Sequence, residues 1–570
     1  MKKSITLSYK HINQFVLFLI ISFSITSCDE FLEEVPPTFI STANFYKTQS
    51  DARTACDAVY EMFHDGGWNS TYGRWWPAID LGTDDVVSKV GRTNFNDWFS
   101  HTLNPSHPWF ESWGQYSNFW IGISRANAVI ENVSQMQDDV FETIEVKNAI
   151  IGEARALRAL YYFHLVRTYG DVPLIDKPIT GKADFAKPRI DVDEIYNKII
   201  VPDLKFAEEN CLDKLSDGHI TKWNSKVILA DVYLTRAGTR RTSQGEFVQG
   251  SSDNWALARD KAAEIIEQSP HQLIASPVVN GANTIPACGV AWSENHPFSV
   301  ESMLELSSVN VELHGSILSR ECGPYPHGAQ YWGAVSNKPF ASSGYNLNVA
   351  QMRFPGKPPG VGMYIPTPDL YASYEQGDER RDWNLMTKYV TPEGNIYLSQ
   401  PTFRKYVDIG YYMGYENTSF ANTNNNFILY RFADALLIYA EAANEVATAT
   451  DGDSSYNAVN EIRNRAGLED LPSGLSQQQF REAVWKERRH EFAGECKRRF
   501  DLIRTNRLAT ETQNIKTTWT SAEGSTTNYK NVNSLYTGNV SWPDHEWLMP
   551  IPQSEIDLNL EYGWLQNDGY

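Results

Sequence analysis

The chain has 570 residues, 42% of them hydrophobic and 21% charged, with a formal net charge of -20. That length supplies a large core, and that charge repels polyphosphate and argues against a nucleic-acid partner. Aromatic residues make up 13%, with 17 tryptophans, more than packing asks of a helical protein, so some rings are expected to face a ligand.

Lys2, Lys3 and Lys10 precede an apolar run from Phe15 to Ile25. The run is about half of the ~20 residues that span a bilayer, so residues 1–27 read as a signal peptide. Ile25-Thr26-Ser27-Cys28 resembles a bacterial lipobox, with cleavage before Cys28 and a lipid on its thiol. Asp29-Glu30 resembles the acidic tag of surface lipoproteins in the Bacteroidetes. Attachment to a membrane would then be by lipid only.

Helical spacing follows from Phe45 to Phe63, behind a Thr48-to-Asp51 capping pattern, and from Gln115 to Val133. The clearest periodicity lies between Ile150 and Pro173, where Ile150, Ala154, Leu157, Tyr161 and Leu165 form one stripe. Arg155, Arg158 and Arg167 lie mostly off that stripe, and Gly170 and Pro173 supply a stop. Val192 to Asn210 predicts a helix kinked or restarted at Pro202, and Trp223 to Arg236 and Trp255 to Gln268 predict two more. The rhythm of helix, short link, helix with paired alanines resembles tetratricopeptide packing without a strict repeat.

From about Pro270 to Asn426, Gly, Pro, Asn, Ser and aromatics dominate, and helical spacing survives only from Asp369 to Tyr374. Ordered loops and short strands packed on the helices are expected there. Helices return over 431–446, 456–466 and 476–504, before Pro550-Ile551-Pro552 imposes extended backbone. The expected organisation is a helical region at 28–240, a loop-rich ligand-binding region at 241–430 and a helical region at 431–570, joined in one unit. The fold class is mostly α, with a scaffold of tetratricopeptide-like helix pairs.

Glu487-Arg488-Arg489-His490-Glu491 with Arg498, Arg499, Asp501 and Arg504 predicts a scaffold ion-pair network. His490-Glu491 lacks the second histidine of a zinc protease, because Gly494 stands there. Asp84-Asp85 could suggest a glycosidase pair, but adjacent side chains diverge, and a cap or turn is the better reading. Asp451-Gly452-Asp453 reads as a turn, without the rest of a calcium loop. Cys288 and Cys322 could pair in an exported protein or stay buried as small apolar residues. No metal, cofactor or catalytic residue is expected.

A pyranose presents a face of C–H bonds that an exposed indole or phenol can cover while amides and charged groups bind the hydroxyls. Trp75, Trp76 and Trp98 in the first long connection, and Trp292, Tyr325, Tyr331, Trp332 and Tyr345 in the irregular middle, are the candidates. Asn96, Asp97 and Arg353 are their polar companions, while Trp113 and Trp120 are assigned to packing.

RALYYFHLVRTYGDVPL, LYRFADALLIYAEAANE, AVNEIRNRAGL, ERRHEFAGECKRRFDLIR and MPIPQSEIDLN resemble, in order, the SusD/RagB family of surface glycan-binding lipoproteins. Cys28-Asp29-Glu30-Phe31-Leu32 is similar to that family's mature N-terminus. The resemblance implies a helical fold and a place on the outer face of the outer membrane. It also implies oligosaccharide binding without chemistry, and action as a lid over a SusC-like TonB-dependent transporter. The rival readings are a glycoside hydrolase and a helical-repeat adaptor without glycan affinity.

Overall fold

The computed structural model describes most of residues 45–570. Outside the description lie residues 1–44, 65–75, 89–94, 324–336, 340–351, 354–362, 408–422 and 529–541, together with shorter gaps.

Helix α1 (Gln49–His64) starts where the capping pattern predicts. The Asp51 amide donates to Thr48 Oγ1 at 3.2 Å, and the Asp51 carboxylate accepts the Thr48 amide at 2.9 Å. It is followed by α2 (Gln115–Gln135), α3 (Ile144–Tyr169), α4 (Val201–Asn210), α5 (Lys222–Ala237) and α6 (Asp253–Gln268). The C-terminal part adds α7 (Phe432–Val446), α8 (Ser454–Arg465), α9 (Gln477–Glu491) and α10 (Arg498–Arg504). Each long helix from α1 to α7 packs on the next, and α7 packs on both α8 and α9. This is the solenoid of helix pairs that the alternating rhythm predicts.

The one-faced stripe expected of α3 is not what the structure shows. From Ala149 to Tyr169 every residue is buried except the partly covered Arg155 and Arg167, because α1, α2, α4 and α5 all pack around the helix. Arg158 therefore lies inside. Its Nε and Nη2 donate to the Asp203 carboxylate at 2.7 and 2.9 Å, and its Nη1 donates to Asn127 Oδ1 at 2.6 Å. Gly170 ends the helix at φ +74, where an added Cβ would lie 2.7 Å from Ser243 Oγ. The break expected at Pro202 takes the form of a π-helical segment at Tyr196–Ile200, after which α4 begins with the proline in its first turn. Proline has no N–H to give to the fourth residue back and its ring crowds that carbonyl; the wider turn accommodates both.

Short strands organise the rest, among them β1 (Val86–Ser88), β2 (Thr239–Arg241), β3 (Phe247–Gln249), β4 (Ser302–Leu306), β5 (Tyr364–Pro366), β6 (Leu385–Val390), β7 (Asn395–Phe403) and β8 (Phe427–Arg431). Although some 160 residues separate α6 from α7 by count of sequence, these helices pack directly together. The loop-rich middle is thus an insertion between neighbouring helices of the solenoid. Its two ends are tied by β4 and β8, antiparallel with Phe427 opposite Leu306 and Arg431 opposite Ser302. Farther out, the β6–β7 pair forms the centre of a four-stranded sheet edged by Asn337–Pro339 and Met352–Arg353.

The single helical stretch expected over 476–504 is broken between α9 and α10, where Gly494 and Cys496 adopt φ +79 and +61. That reversal turns the arginines and glutamates of both helices inward. Arg431 Nη1 pairs with Glu301 at 2.9 Å and Glu491 at 2.5 Å, and its Nη2 with Glu495 at 2.8 Å. Arg380 pairs with Asp378, Glu487 and Glu491 at 2.8, 2.5 and 3.0 Å. The predicted network exists, and it ties the neck of the insertion to the C-terminal helices. Such buried charges are stable only when fully paired. Cys288 and Cys322 are free and buried, as are Cys56, Cys211 and Cys496, so burial is the outcome and the disulfide is not formed. Asp451–Asp453 is the turn expected: Asp453 caps α8, accepting the Ser455 and Tyr456 amides at 2.8 and 3.1 Å.

Candidate functional site

The connection between α1 and α2 and the insertion between α6 and α7 are the two aromatic-rich segments, and the structure joins them. Gly82, at φ +83, donates its amide to Val86 O at 3.0 Å, and Thr83 Oγ1 donates to Asp80 O at 2.7 Å. This tight turn delivers β1, which pairs antiparallel with β5 in the insertion, Val87 opposite Ile365. Beyond the strands, the Thr367 amide donates to Asp85 O at 2.9 Å. Phe95 meets Tyr364 edge-on with centroids 6.0 Å apart.

Asp84 and Asp85 fix that junction to the C-terminal helices. Arg498 grips Asp84 with Nε at 2.9 Å and Nη2 at 2.7 Å, while Arg489 reaches Asp85 at 2.6 Å and Asp84 at 3.0 Å. Burial opposes ionisation of Asp84, but Arg489 and Arg498 prevail and hold its carboxyl at about 2. Burial pushes Asp85 up against the pull of Arg489, and the charge of Asp84 adds to the rise. Nearby, burial pushes Asp80 up to about 7, although the Arg499 amide donates to it at 2.9 Å. Both acids of the Asp84-Asp85 pair are thus bound by arginine at this junction.

Among the candidate sugar-stacking rings, those that are described turn inward. Trp76 is 4% exposed, lying 4.3 Å from the His164 ring with the Arg167 guanidinium 5.2 Å over it. Trp98 is 1% exposed and meets Trp109 edge-on at 6.3 Å. Trp292 is 7% exposed, meets Tyr406 edge-on at 5.4 Å and carries the Lys405 ammonium 5.3 Å over its ring. Each of the three is packed inside the described structure, because an indole gains most when covered on both faces. Asp97 is half-buried and is taken up by its own loop, accepting from Thr102 Oγ1 at 3.1 Å and lying 3.1 Å from His107 Nε2. Arg353 belongs to a short strand that runs parallel to the end of β6, opposite Val390. Trp75, Asn96, Tyr325, Tyr331, Trp332 and Tyr345 lie outside the described residues, as do Cys28 and Trp113. Trp120 packs as expected, edge-on to Tyr116 and Tyr162 at 5.9 and 5.7 Å.

Sequence reasoning missed Trp542, which is 2% exposed. It stacks under Gly82 and within 4.9 Å of both His101 and the Arg499 guanidinium. It sits in a tail without helical spacing, where no periodic signal could have singled it out.

A family model described as "SusD family" matches residues 371–570, and a second, described as "Starch-binding associating with outer membrane", matches residues 81–234. The chain belongs to the SusD/RagB family. SusD-like protein P25 of Formosa agariphila is 26% identical, over 98% of this chain and 99% of that protein. A SusD superfamily crystal structure from Parabacteroides distasonis superposes with a TM-score of 0.68 at 24% identity, over 92% of this chain and 99% of its own. A laminarin binding SusD-like protein gives 0.67 at 21% identity, over 92% and 100%.

In this SusD/RagB chain the matched regions carry the turn at Gly82, the Asp84-Asp85 pair and the arginines that hold it. Residues 235–370, between the two matches, carry the irregular aromatic segment from Tyr325 to Arg353.

Proposed function

We propose that this SusD/RagB protein is a surface-anchored, non-catalytic binder of oligosaccharide that delivers its ligand to a SusC-like TonB-dependent transporter. Cys28 carries the lipid that holds it to the outer membrane, and the loop-rich region at 241–430 contributes most of the specificity. The observation that carries this reading is the β1–β5 pairing, which joins the two aromatic-rich segments of the chain. The description "Starch-binding associating with outer membrane" and the laminarin-binding relative support a glycan as the ligand. Affinity built from ring stacking and exposed hydrogen bonds is weak, on the order of micromolar for short sugars, which suits handover.

Hydrolysis is disfavoured, since two acids flanking a glycosidic bond stand ~5–10 Å apart with one poised to donate a proton, whereas Asp84 and Asp85 are adjacent and arginine-bound. Calorimetry of the protein against a polysaccharide panel that includes starch and laminarin tests the reading. Saturable binding that drops at least tenfold on replacing Trp75 or Trp332 with alanine is expected. Silence across the panel with no co-purifying transporter would overturn it, and newly formed reducing ends would favour the hydrolase.

A further inference from the structure

A cavity of about 330 Å³ lies between the end of α3, the segment at 192–197, the β2–β3 hairpin and α10. It shares no residue with the aromatic loops of the proposed glycan site. In a protein of net charge -20 its walls are unexpectedly basic. Arg236, Arg240 and Arg241 all line it. Arg236 Nη2 donates to Asn197 Oδ1 at 3.1 Å, and its guanidinium lies 5.1 Å over the Tyr196 ring. No carboxylate pairs with it among the described residues. Arg240 bonds Asp193 at 2.8 Å through Nη2 and Arg241 bonds Asp568 at 2.6 Å through Nη2, but buried Arg240 Nη1 and Arg241 Nε have no partner.

Arg236 is thus the one of the three arginines whose charge no carboxylate of the described residues balances, and an anion entering the cavity would supply that counter-charge. The rest of the wall is largely apolar, with Val192, Val248, Phe500 and Trp547, and its polar groups are chiefly the amides of Asn197 and Gln249 and the Asp193 carboxylate that Arg240 already holds. That mixture suits a ligand with an apolar ring face, several hydroxyls and one negative charge. The volume falls at the small end of the ~300–1,000 Å³ range for small-molecule sites, room for one or two sugar rings and not for a chain.

We propose that this cavity is a second ligand site, selective for a small carboxylated sugar of the uronic acid class, with Arg236 and Arg240 binding the carboxylate. The test is calorimetry of the full chain with glucuronate, glucose and inorganic sulfate at low salt, repeated on Arg236→Gln and Arg240→Gln. Glucuronate should bind saturably, glucose at least tenfold more weakly, and each substitution should weaken glucuronate at least tenfold without lowering the melting temperature. Arg236, half-exposed and bound only to an amide, is the substitution that keeps the fold if Arg240→Gln does not. Oligosaccharide binding at the aromatic loops should be unchanged in both variants, so failure here is distinguishable from failure of the proposed glycan site. No heat with glucuronate, equal binding of glucose, or full retention in Arg236→Gln would overturn the proposal. Sulfate binding as tightly as glucuronate would reduce the cavity to an anion hole and overturn the sugar assignment.

Discussion

Replacing Asp84 with asparagine keeps the side chain's shape and removes its charge, leaving Arg489 and Arg498 to share Asp85. Asp84 is 4% exposed at its side chain and bound by both arginines, so the loss can be sized in two ways. Its carboxyl is held at about 2 against an ordinary 3.8, which corresponds to roughly 2 kcal/mol. Breaking a buried, hydrogen-bonded pair costs ~3–5 kcal/mol. A destabilisation of about 2–5 kcal/mol at pH 7 is therefore expected from urea unfolding followed by tryptophan fluorescence. Because the folded value is depressed, the contribution is complete above the ordinary 3.8 and is lost as pH falls through about 2. The gap between the two proteins should accordingly shrink to roughly half near pH 3. Glu194→Gln serves as control, since Glu194 and Lys198 form a pair with side chains 51% and 55% exposed, and exposed pairs contribute little. If Asp84→Asn shifts the midpoint no more than the control at pH 7, or if its gap is unchanged at pH 3, the junction is not held by charge.

Asp80 tests the opposite sign. Its folded value of about 7 lies above the ordinary 3.8, so it favours the folded state below about 3.8 and loses that contribution as pH rises through about 7. Asp80→Asn should therefore match the parent near pH 4 and exceed it by up to ~4 kcal/mol at pH 8, measured as the difference in urea midpoints. Gly122→Ala, which in an exposed helix would stabilise by ~1 kcal/mol, puts a Cβ 2.5 Å from the Tyr161 ring. A net loss of ~1–3 kcal/mol is expected, and a gain would show that α2 and α3 pack less tightly than described. Trp98→Ala should cost ~3–5 kcal/mol in urea unfolding, and any loss of sugar retention should track unfolding; retention lost at full stability would return Trp98 to the ligand site. In a thiol-reagent assay on protein lacking Cys28, none of the five buried cysteines should react until urea unfolds the chain.

Much of the scaffold is legible from local pattern. Thr48 and Asp51 mark the start of α1, the alanine-rich periodicity around Ile150 marks α3, and the run from Arg431 marks α7, because caps and helical spacing are written in neighbouring residues. The charged stretch from Glu487 to Arg504 announces an ion-pair network for the same reason. Its partners cannot be read there: Asp84, Glu301 and Arg380 come from three distant segments, and the network closes only because Gly494 and Cys496 reverse the chain between α9 and α10.

The aromatic candidates show the same division. Composition says that rings are abundant and gives no direction for any of them, and Trp76, Trp98 and Trp292 turn inward because α3, the Trp109 segment and the Tyr406 segment cover them. The sequence by itself determined the helix order, the family likeness and the irregular insertion, all carried by short-range spacing. Only the tertiary structure decided that β1 meets β5, that α3 is enclosed on every side, and that arginines from the hairpin and α5 gather around one cavity. Those outcomes depend on contacts between residues far apart in the chain, and no local periodicity encodes them.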